Sequence, residues 1–346
     1  MFNNLPVVSA NYHKHLGIIL DCKLLFTKHI SEKVVKLRKG IGIIRHLSSH
    51  VSLDTLDQLY KLFVRPHIDY CDTIYHIPNI TNLFDSSITL SYSMQSIEST
   101  QYQAALAVSG TWKGSNTSNL YEELGWESLT DRRWYRSLLH FYKIFYNLTP
   151  SYLKEFIPPQ RRTLYGRQRH FFHEIRCRTD TFMNSFFPDT VKSWNIIGSE
   201  FTSLRSISLF KNSLLSLIRP AKKSVFGIHN PGKTRTLFQL RLGLSDLKSH
   251  KMHHKFPDID SEFCACYQEA ETTIHFFCSC SFFTTQRISL VDTVSEVLVQ
   301  NNIFINTLVK KDLVKIYLYG SDKFTDVDNR IIILATIKFI TDSNRF

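Results

Sequence analysis

The chain has 346 residues, 43% of them apolar, with 26 Phe and 15 Tyr against 12 Gly and 10 Pro, and a formal net charge of +12. That length and apolar share leave room for two or three compact units and exclude a disordered or fibrous chain. No run approaches the roughly 18 to 20 consecutive apolar residues of a membrane span. The opening Met1-Phe2-Asn3-Asn4-Leu5-Pro6 lacks the basic-then-apolar pattern of a secretory signal, so the expectation is an intracellular protein, nuclear or cytoplasmic, with reduced thiols and no membrane partner.

In chain order, the run Leu16-Gly17-Ile18-Ile19-Leu20, then Asp21-Cys22-Lys23, then Leu24-Leu25-Phe26 fits two short strands around a turn. A lone hairpin with little chain before it to cover its edges is marginally stable and hints at truncation. Helical periodicity follows. Leu53, Leu56, Leu59, Tyr60, Phe63 and Val64 share one face, with Ser52 as the expected cap and Pro66 disturbing the end. A helix is expected from Ser93 to Val108. Another runs from an expected N-cap at Thr130 through Trp134, Leu138, Phe141, Tyr142 and Phe145 towards Pro150. Beyond Pro158-Pro159 the signal weakens to short helical pieces around Phe182–Phe187, Val191–Ile197 and Ile207–Ile218. Phe282–Val299 and Arg330–Ile340 again read as helices. The fold class expected is therefore mainly α, in four consecutive parts: a β-hairpin over 1–26, a helical bundle over 27–157, an irregular basic connector over 158–230, and a small zinc-stapled helical unit over 231–346.

The positive charge is concentrated. Residues Lys154 to Lys255 hold 19 Lys and Arg against six Asp and Glu, so the rest of the chain is close to neutral. Such a concentration attracts polyanions, of which nucleic acids are the commonest inside a cell. Its densest part is Arg161, Arg162, Arg167 and Arg169, followed by Phe171, Phe172, Arg176 and Arg178. Guanidinium groups grip phosphates bidentately, and aromatic planes stack unpaired bases, which would suit single-stranded DNA, RNA or an RNA–DNA hybrid. The competing arrangement is an extended strand whose aromatics face the core and whose arginines face water.

Four of the seven Cys lie between Cys264 and Cys280, whereas Cys22, Cys71 and Cys177 are scattered and expected to be buried thiols. Cys264-Ala265-Cys266, His275 and Cys280 form a C-x-C-x8-H-x4-C arrangement. Thiolate and imidazole are the donors tetrahedral zinc prefers, and four protein ligands leave no open position, so such a site is structural. Cys278 is a fifth candidate that could replace Cys280. Gly227 to Thr234 matches the phosphate-cradling pattern G-x4-G-K-[ST], but the preceding Pro220 to Phe226 is too polar for the buried strand that loop requires, which favours a basic turn before a helix over Leu237–Leu247. His250, His253 and His254 have helical spacing without a carboxylate in register, which argues against a second metal site.

Several stretches, in this order, resemble the region downstream of the polymerase motifs in jockey-like non-LTR retrotransposon polyproteins. They are Lys14-His15-Leu16-Gly17-Ile18-Ile19-Leu20-Asp21, Lys39-Gly40-Ile41-Gly42, and Phe63-Val64-Arg65-Pro66-His67-Ile68-Asp69-Tyr70. Next come Tyr121-Glu122-Glu123-Leu124-Gly125, Leu129-Thr130-Asp131-Arg132-Arg133, Arg241-Leu242-Gly243-Leu244-Ser245, and His275-Phe276-Phe277 ahead of Cys280. The resemblance implies a hairpin left from a polymerase palm, a reverse-transcriptase thumb, a connector and a zinc-binding tail, with the missing polymerase segment as a partner in the full polyprotein. The Tyr-x-Asp-Asp turn that would hold two metal ions in that family is absent, and so is the family's endonuclease. The expectation is a non-catalytic fragment that binds nucleic acid. The alternative is an adopted zinc-containing protein-interaction module. Tyr267 stands where the family commonly has Gly, Ser281 where it commonly has Pro, and Cys278 is extra.

Overall fold

A computed structural model describes residues 10–75, 92–161, 171–218 and 231–346. The elements are β1 (Tyr12–His15), β2 (Ile18–Asp21), α1 (Thr27–Leu47), α2 (Leu53–Leu59), α3 (Arg65–Asp69), α4 (Asp72–Tyr75), α5 (Tyr92–Ser109), α6 (Thr117–Leu124) and α7 (Leu129–Phe145). They continue with α8 (Asp180–Met183), α9 (Phe186–Ile196), α10 (Ser199–Thr202), α11 (Ile207–Ile218), α12 (Pro231–Arg241), α13 (Lys248–His253), α14 (Thr284–Gln300), α15 (Lys310–Tyr319) and α16 (Asp326–Asp342). Among the described residues the protein is thus mainly helical with one small antiparallel hairpin, as its periodicity implies.

The hairpin forms one segment earlier than expected. Tyr12 pairs with Asp21 and His15 with Ile18, so the turn is Leu16-Gly17, not Asp21–Lys23. Both turn residues have positive φ, +45° and +84°, which is the twist a two-residue hairpin demands and which Gly17 supplies without strain. Asp21 instead folds the chain into α1. Its carboxylate accepts the backbone N–H of Lys23 and Leu25, each at 3.0 Å, and of Phe26 at 2.7 Å. That leaves Leu24–Phe26 as the entry to a helix and not as a strand.

Ser52 caps α2 as expected, accepting the Thr55 N–H, but the helix does not end before Pro66. A π-helical turn over Tyr60–Val64 inserts an extra residue and passes the chain into α3, where Pro66 sits in the first turn and needs no N–H donor. The shifted period buries Leu53, Leu56, Tyr60, Val64 and Ile68 and turns Phe63 outward. The cap of α7 is Ser128, two residues before the expected Thr130, and its hydroxyl accepts the Asp131 N–H at 3.0 Å and donates to the Asp131 carboxylate at 2.7 Å. The scattered cysteines are not core residues: Cys22 is exposed and Cys71 and Cys177 are half-buried, Cys22 and Cys71 lying in turns and Cys177 in an irregular stretch, away from any apolar stripe.

The chain divides into two compact units that take turns along the sequence. One comprises Met1–Gly40, Leu62–Tyr102 and Trp126–Pro220, the other Ile41–Lys61, Gln103–Gly125 and Ala221–Phe346. In the first unit the core gathers on α7. Trp134, Leu138, Phe141 and Tyr142 pack with Phe172, Val191, Trp194, Phe210 and Leu214. Its rings lie 4.4 Å apart for Tyr142 and Phe210 and 5.0 Å for Phe141 and Trp194, the spacing at which aromatic pairs add to plain area burial. In the second unit α14 and α16 pack along their lengths and α15 and α12 join them. A Thr325 and Asp328 capping box starts α16, and Ile332, Ile333, Ile337 and Ile340 form its buried stripe. Among the described residues no helix is long and apolar enough to cross a membrane.

Candidate metal centre

Cys264 and Cys266 are brought together by a tight turn. The Cys264 N–H donates to the Glu269 carbonyl at 2.9 Å, the Tyr267 N–H returns to the Cys264 carbonyl at 3.0 Å, and Phe263 bridges Ala270 in antiparallel fashion. The turn requires a left-handed residue, which is Tyr267 at φ +58°. His275 and Cys280 come from a π-helical turn, His275–Ser279, closed by the Cys280 N–H donating to the His275 carbonyl at 2.8 Å. That i to i+5 closure puts the fifth residue beneath the first, which is why an x4 gap sets His and Cys side by side. Arg287 fixes the turn from below, donating to the Phe277 carbonyl at 2.8 Å and the Cys280 carbonyl at 2.6 Å.

The four donor atoms of Cys264, Cys266, His275 and Cys280 lie within 4.8 Å of one another, and this cluster can hold a metal ion. The Cys264 and Cys280 sulfurs are 3.7 Å apart, and the Cys266 sulfur is 3.2 Å from His275 Nε2. Backbone N–H groups two residues downstream, on Cys266, Gln268 and Phe282, point at the three sulfurs in turn, an arrangement that favours thiolates. Burial pushes the Cys264 thiol up to about 12 and also raises Cys280. Burial acts against ionisation at Cys266 too, but hydrogen bonds from Gln268, Cys264, His275 and Cys280 bring it down to about 7. Metal binding at such a cluster would release thiol protons, most easily at Cys266.

Surrounding groups orient the ligands. His275 Nδ1 is 3.2 Å from a carboxylate oxygen of Glu269, which leaves Nε2 facing the sulfurs, the carboxylate–histidine support common at metal sites. Glu271 is buried and held charged: burial works against it, but Arg345 grips both oxygens at 2.7 and 2.8 Å and the Lys248 N–H adds a third bond at 2.9 Å. Phe276 and Phe277 are almost fully buried and stack around Phe339. Cys278 is outside the cluster. The turn sends it to the side of Arg287 and Lys310, so Cys280 and not Cys278 joins the cluster. His250 is also occupied, with Nδ1 at 2.8 Å from Ser245 and Nε2 at 3.1 Å from Thr273, so it is not a ligand.

Of the residues expected to meet nucleic acid, Arg161, Arg176 and Arg178 are exposed, whereas Arg162, Arg167 and Arg169 lie outside the described residues. Arg161 has Glu174 at 3.5 Å. Phe171 is half-buried, and Phe172 is no stacking plane. It is 1% exposed, 5.5 Å from Phe141, and its own N–H and carbonyl are held by the Asn195 side chain at 2.9 and 3.0 Å. The phosphate-loop pattern divides as well. Gly227 to Asn230 lie outside the described residues, while Pro231 to Thr234 begin α12, and Thr234 is 1% exposed, so its hydroxyl is not on a solvent-facing loop.

Two features escaped the sequence. A cavity of about 240 Å³ is lined by Lys14, Lys33, Lys36, His29 and His67, with Glu32 as its one acid. Its residues come from three separate stretches, and no local pattern marks it. Lys33 is buried beneath it, donating to the carbonyls of His67 at 3.0 Å and Tyr70 at 2.7 Å and to the Tyr75 hydroxyl at 3.1 Å, and burial lowers its pKa to about 8. Searches against family models, curated proteins and solved structures find no match to this chain.

Proposed function

We propose that the chain is a nucleic-acid-binding protein with a structural zinc site, equivalent to the thumb, connector and tail of a non-LTR reverse transcriptase without its polymerase centre. The observation that carries this reading is the segregation of the basic segment: Phe172 is drawn into the aromatic core while Arg176 and Arg178 face solvent. A rigid backbone that presents cations outward is what phosphate contacts require, and the Lys14, Lys36 and His67 cavity adds a second cationic surface in the same unit. Neither surface reads bases, so binding should be indifferent to sequence and steep in salt. In fluorescence titration an RNA–DNA hybrid should bind with micromolar affinity at low salt. The double charge reversal Arg176→Glu with Arg178→Glu should weaken binding and reduce the log–log salt slope by about 2. Binding indifferent to salt, or untouched by the reversal, would contradict the reading. Primer extension by the purified chain would contradict the loss of polymerase chemistry.

Zinc follows from the donor set, three sulfurs and one imidazole with no fifth position for substrate. Elemental analysis should give one zinc per chain. Cys264→Ser or Cys280→Ser should abolish stoichiometric zinc, and Cys278→Ser should keep it.

A further inference from the structure

The metal centre does not share the chain's basic character. Between Phe256 and Ile274 there are five acidic residues and no Lys or Arg. Glu271 is buried and taken by Arg345, but Asp258, Asp260, Glu262 and Glu269 are exposed. A divalent ion bound by three thiolates, as proposed above, would leave the centre itself with one further negative charge. Phosphates are repelled by such a surface. Aromatic side chains one or two residues from the cluster cysteines are exposed as well: Tyr267 at 90% exposure, Phe282 at 59% and Phe263 at 54%. Exposed rings beside a cluster of like charges are the composition of a protein-docking patch, with aromatics as anchors and charges as steering.

We infer that the outer face of the metal centre, formed by Phe263, Tyr267 and Phe282 within the rim of Asp258, Asp260 and Glu262, docks an extended Lys/Arg-rich segment of a partner protein. Charge complementarity selects this occupant. Cationic side chains pair with the rim carboxylates, and guanidinium or ammonium groups lie on the ring faces, where cation–π attraction adds to the ion pairs. The assignment separates two jobs on one chain: cations outward in the first unit for a polyanion, acids and rings at the metal centre for a polycation.

The zinc-loaded full chain is titrated, by fluorescence anisotropy, with a labelled Arg-Ala-Lys-Ala repeat peptide and separately with labelled poly(U) RNA. The peptide should bind. The triple reversal Asp258→Lys, Asp260→Lys, Glu262→Lys should weaken it roughly ten-fold or more while leaving poly(U) binding equal or tighter. Tyr267→Ala should weaken the peptide alone. Should the triple variant lose its zinc, the milder pair Asp260→Asn with Glu262→Gln reads the same loss on a smaller scale. No peptide binding at low salt, or peptide binding untouched by these changes, overturns the inference. Loss of poly(U) binding in Tyr267→Ala overturns it in favour of a nucleic-acid contact. Failure of poly(U) to bind the parent chain would sink the nucleic-acid reading alone and leave this one standing.

Discussion

Tyr267 occupies a left-handed backbone position, φ +58°, while its ring is almost wholly in water. A residue with a Cβ loses about 1 kcal/mol there, and Gly recovers most of it at some cost in unfolded-chain entropy. Tyr267→Gly should therefore tighten zinc binding about two-fold, a net gain of about 0.5 kcal/mol, read by competition with a chelator. A weaker site would show that the ring has a packing role its exposure hides. At this scale the sequence was most informative where chemistry restricts the choice: three Cys and one His at metal spacing marked the side chains that the fold brings into one cluster, except for Cys278 versus Cys280. That ambiguity could not be resolved from spacing, because either cysteine lies within reach of a helical turn and only the π-helical closure picks the later one. Phe172 was ambiguous for a related reason, since an aromatic beside arginines suits a base stack and a core equally. Its burial is decided by Phe141 and Trp194, distant in the chain.

Between elements, a buried ion pair in the second unit joins α6 to α12. Arg241 is buried, donating to the Glu123 carboxylate at 3.0 Å and to the Leu318 carbonyl at 2.7 Å, with the Tyr319 hydroxyl bonding its backbone carbonyl at 3.0 Å. Burial pulls the guanidinium pKa down and Glu123 pushes it back up. Removing one partner strands a buried charge, at a cost of about 3–5 kcal/mol, whereas an apolar pair can be nearly neutral. Arg241→Met should thus destabilise severely in urea unfolding, and Arg241→Met with Glu123→Leu should recover at least half of the loss; absence of recovery would show that the Leu318 bond dominates. Helix existence was legible from long 3.6-residue stripes in α5, α7, α11, α14 and α16, but the 21-residue α1, with Ile30, Val34, Leu37, Ile41 and Ile44 as its buried stripe, was covered only by the bundle expected over 27–157. The shorter α6, α13 and α15, of eight, six and ten residues, were not picked out individually, because so few turns leave little period to stand out. The hairpin turn was misread because Leu16 at positive φ is not a turn-forming residue, and only the neighbouring Gly17 hinted at the bend.

Across the molecule, several of the short ordered motifs of the sequence turn out to contact one another. In the first unit Asp69 is met by Arg65 at 3.2 Å, Arg132 at 3.4 Å and Arg136 at 3.3 Å, and Arg136 also reaches Asp72 at 3.2 Å. The Tyr70 hydroxyl donates to the Leu16 carbonyl at 2.6 Å, and a Cβ added to Gly40 would sit 3.0 Å from Val64. Pairing of this kind is invisible to a linear reading, which saw the motifs only as ordered fragments. Asp72 pays for its burial: desolvation outweighs Arg136 and Arg133 and raises its pKa from 3.8 to about 6. The folded state therefore binds its proton more tightly than the unfolded state between those values. Stability from this group is full below 3.8 and falls as pH rises through about 6, by about 2–3 kcal/mol in all. Urea unfolding across that window should show the decline, and Asp72→Asn should flatten it; an unchanged slope would place the titration elsewhere.

The partners Glu123 and Arg241 are 118 residues apart in the chain. At typical translation rates of 5–20 residues per second, the carboxylate leaves the ribosome roughly 6–24 s before the guanidinium that completes it. For that interval Leu120, Tyr121 and Leu124 are an apolar helix face on a nascent chain whose second unit cannot yet close. Yield in a cell should accordingly depend on holdase capacity during synthesis more than on the stability of the finished fold.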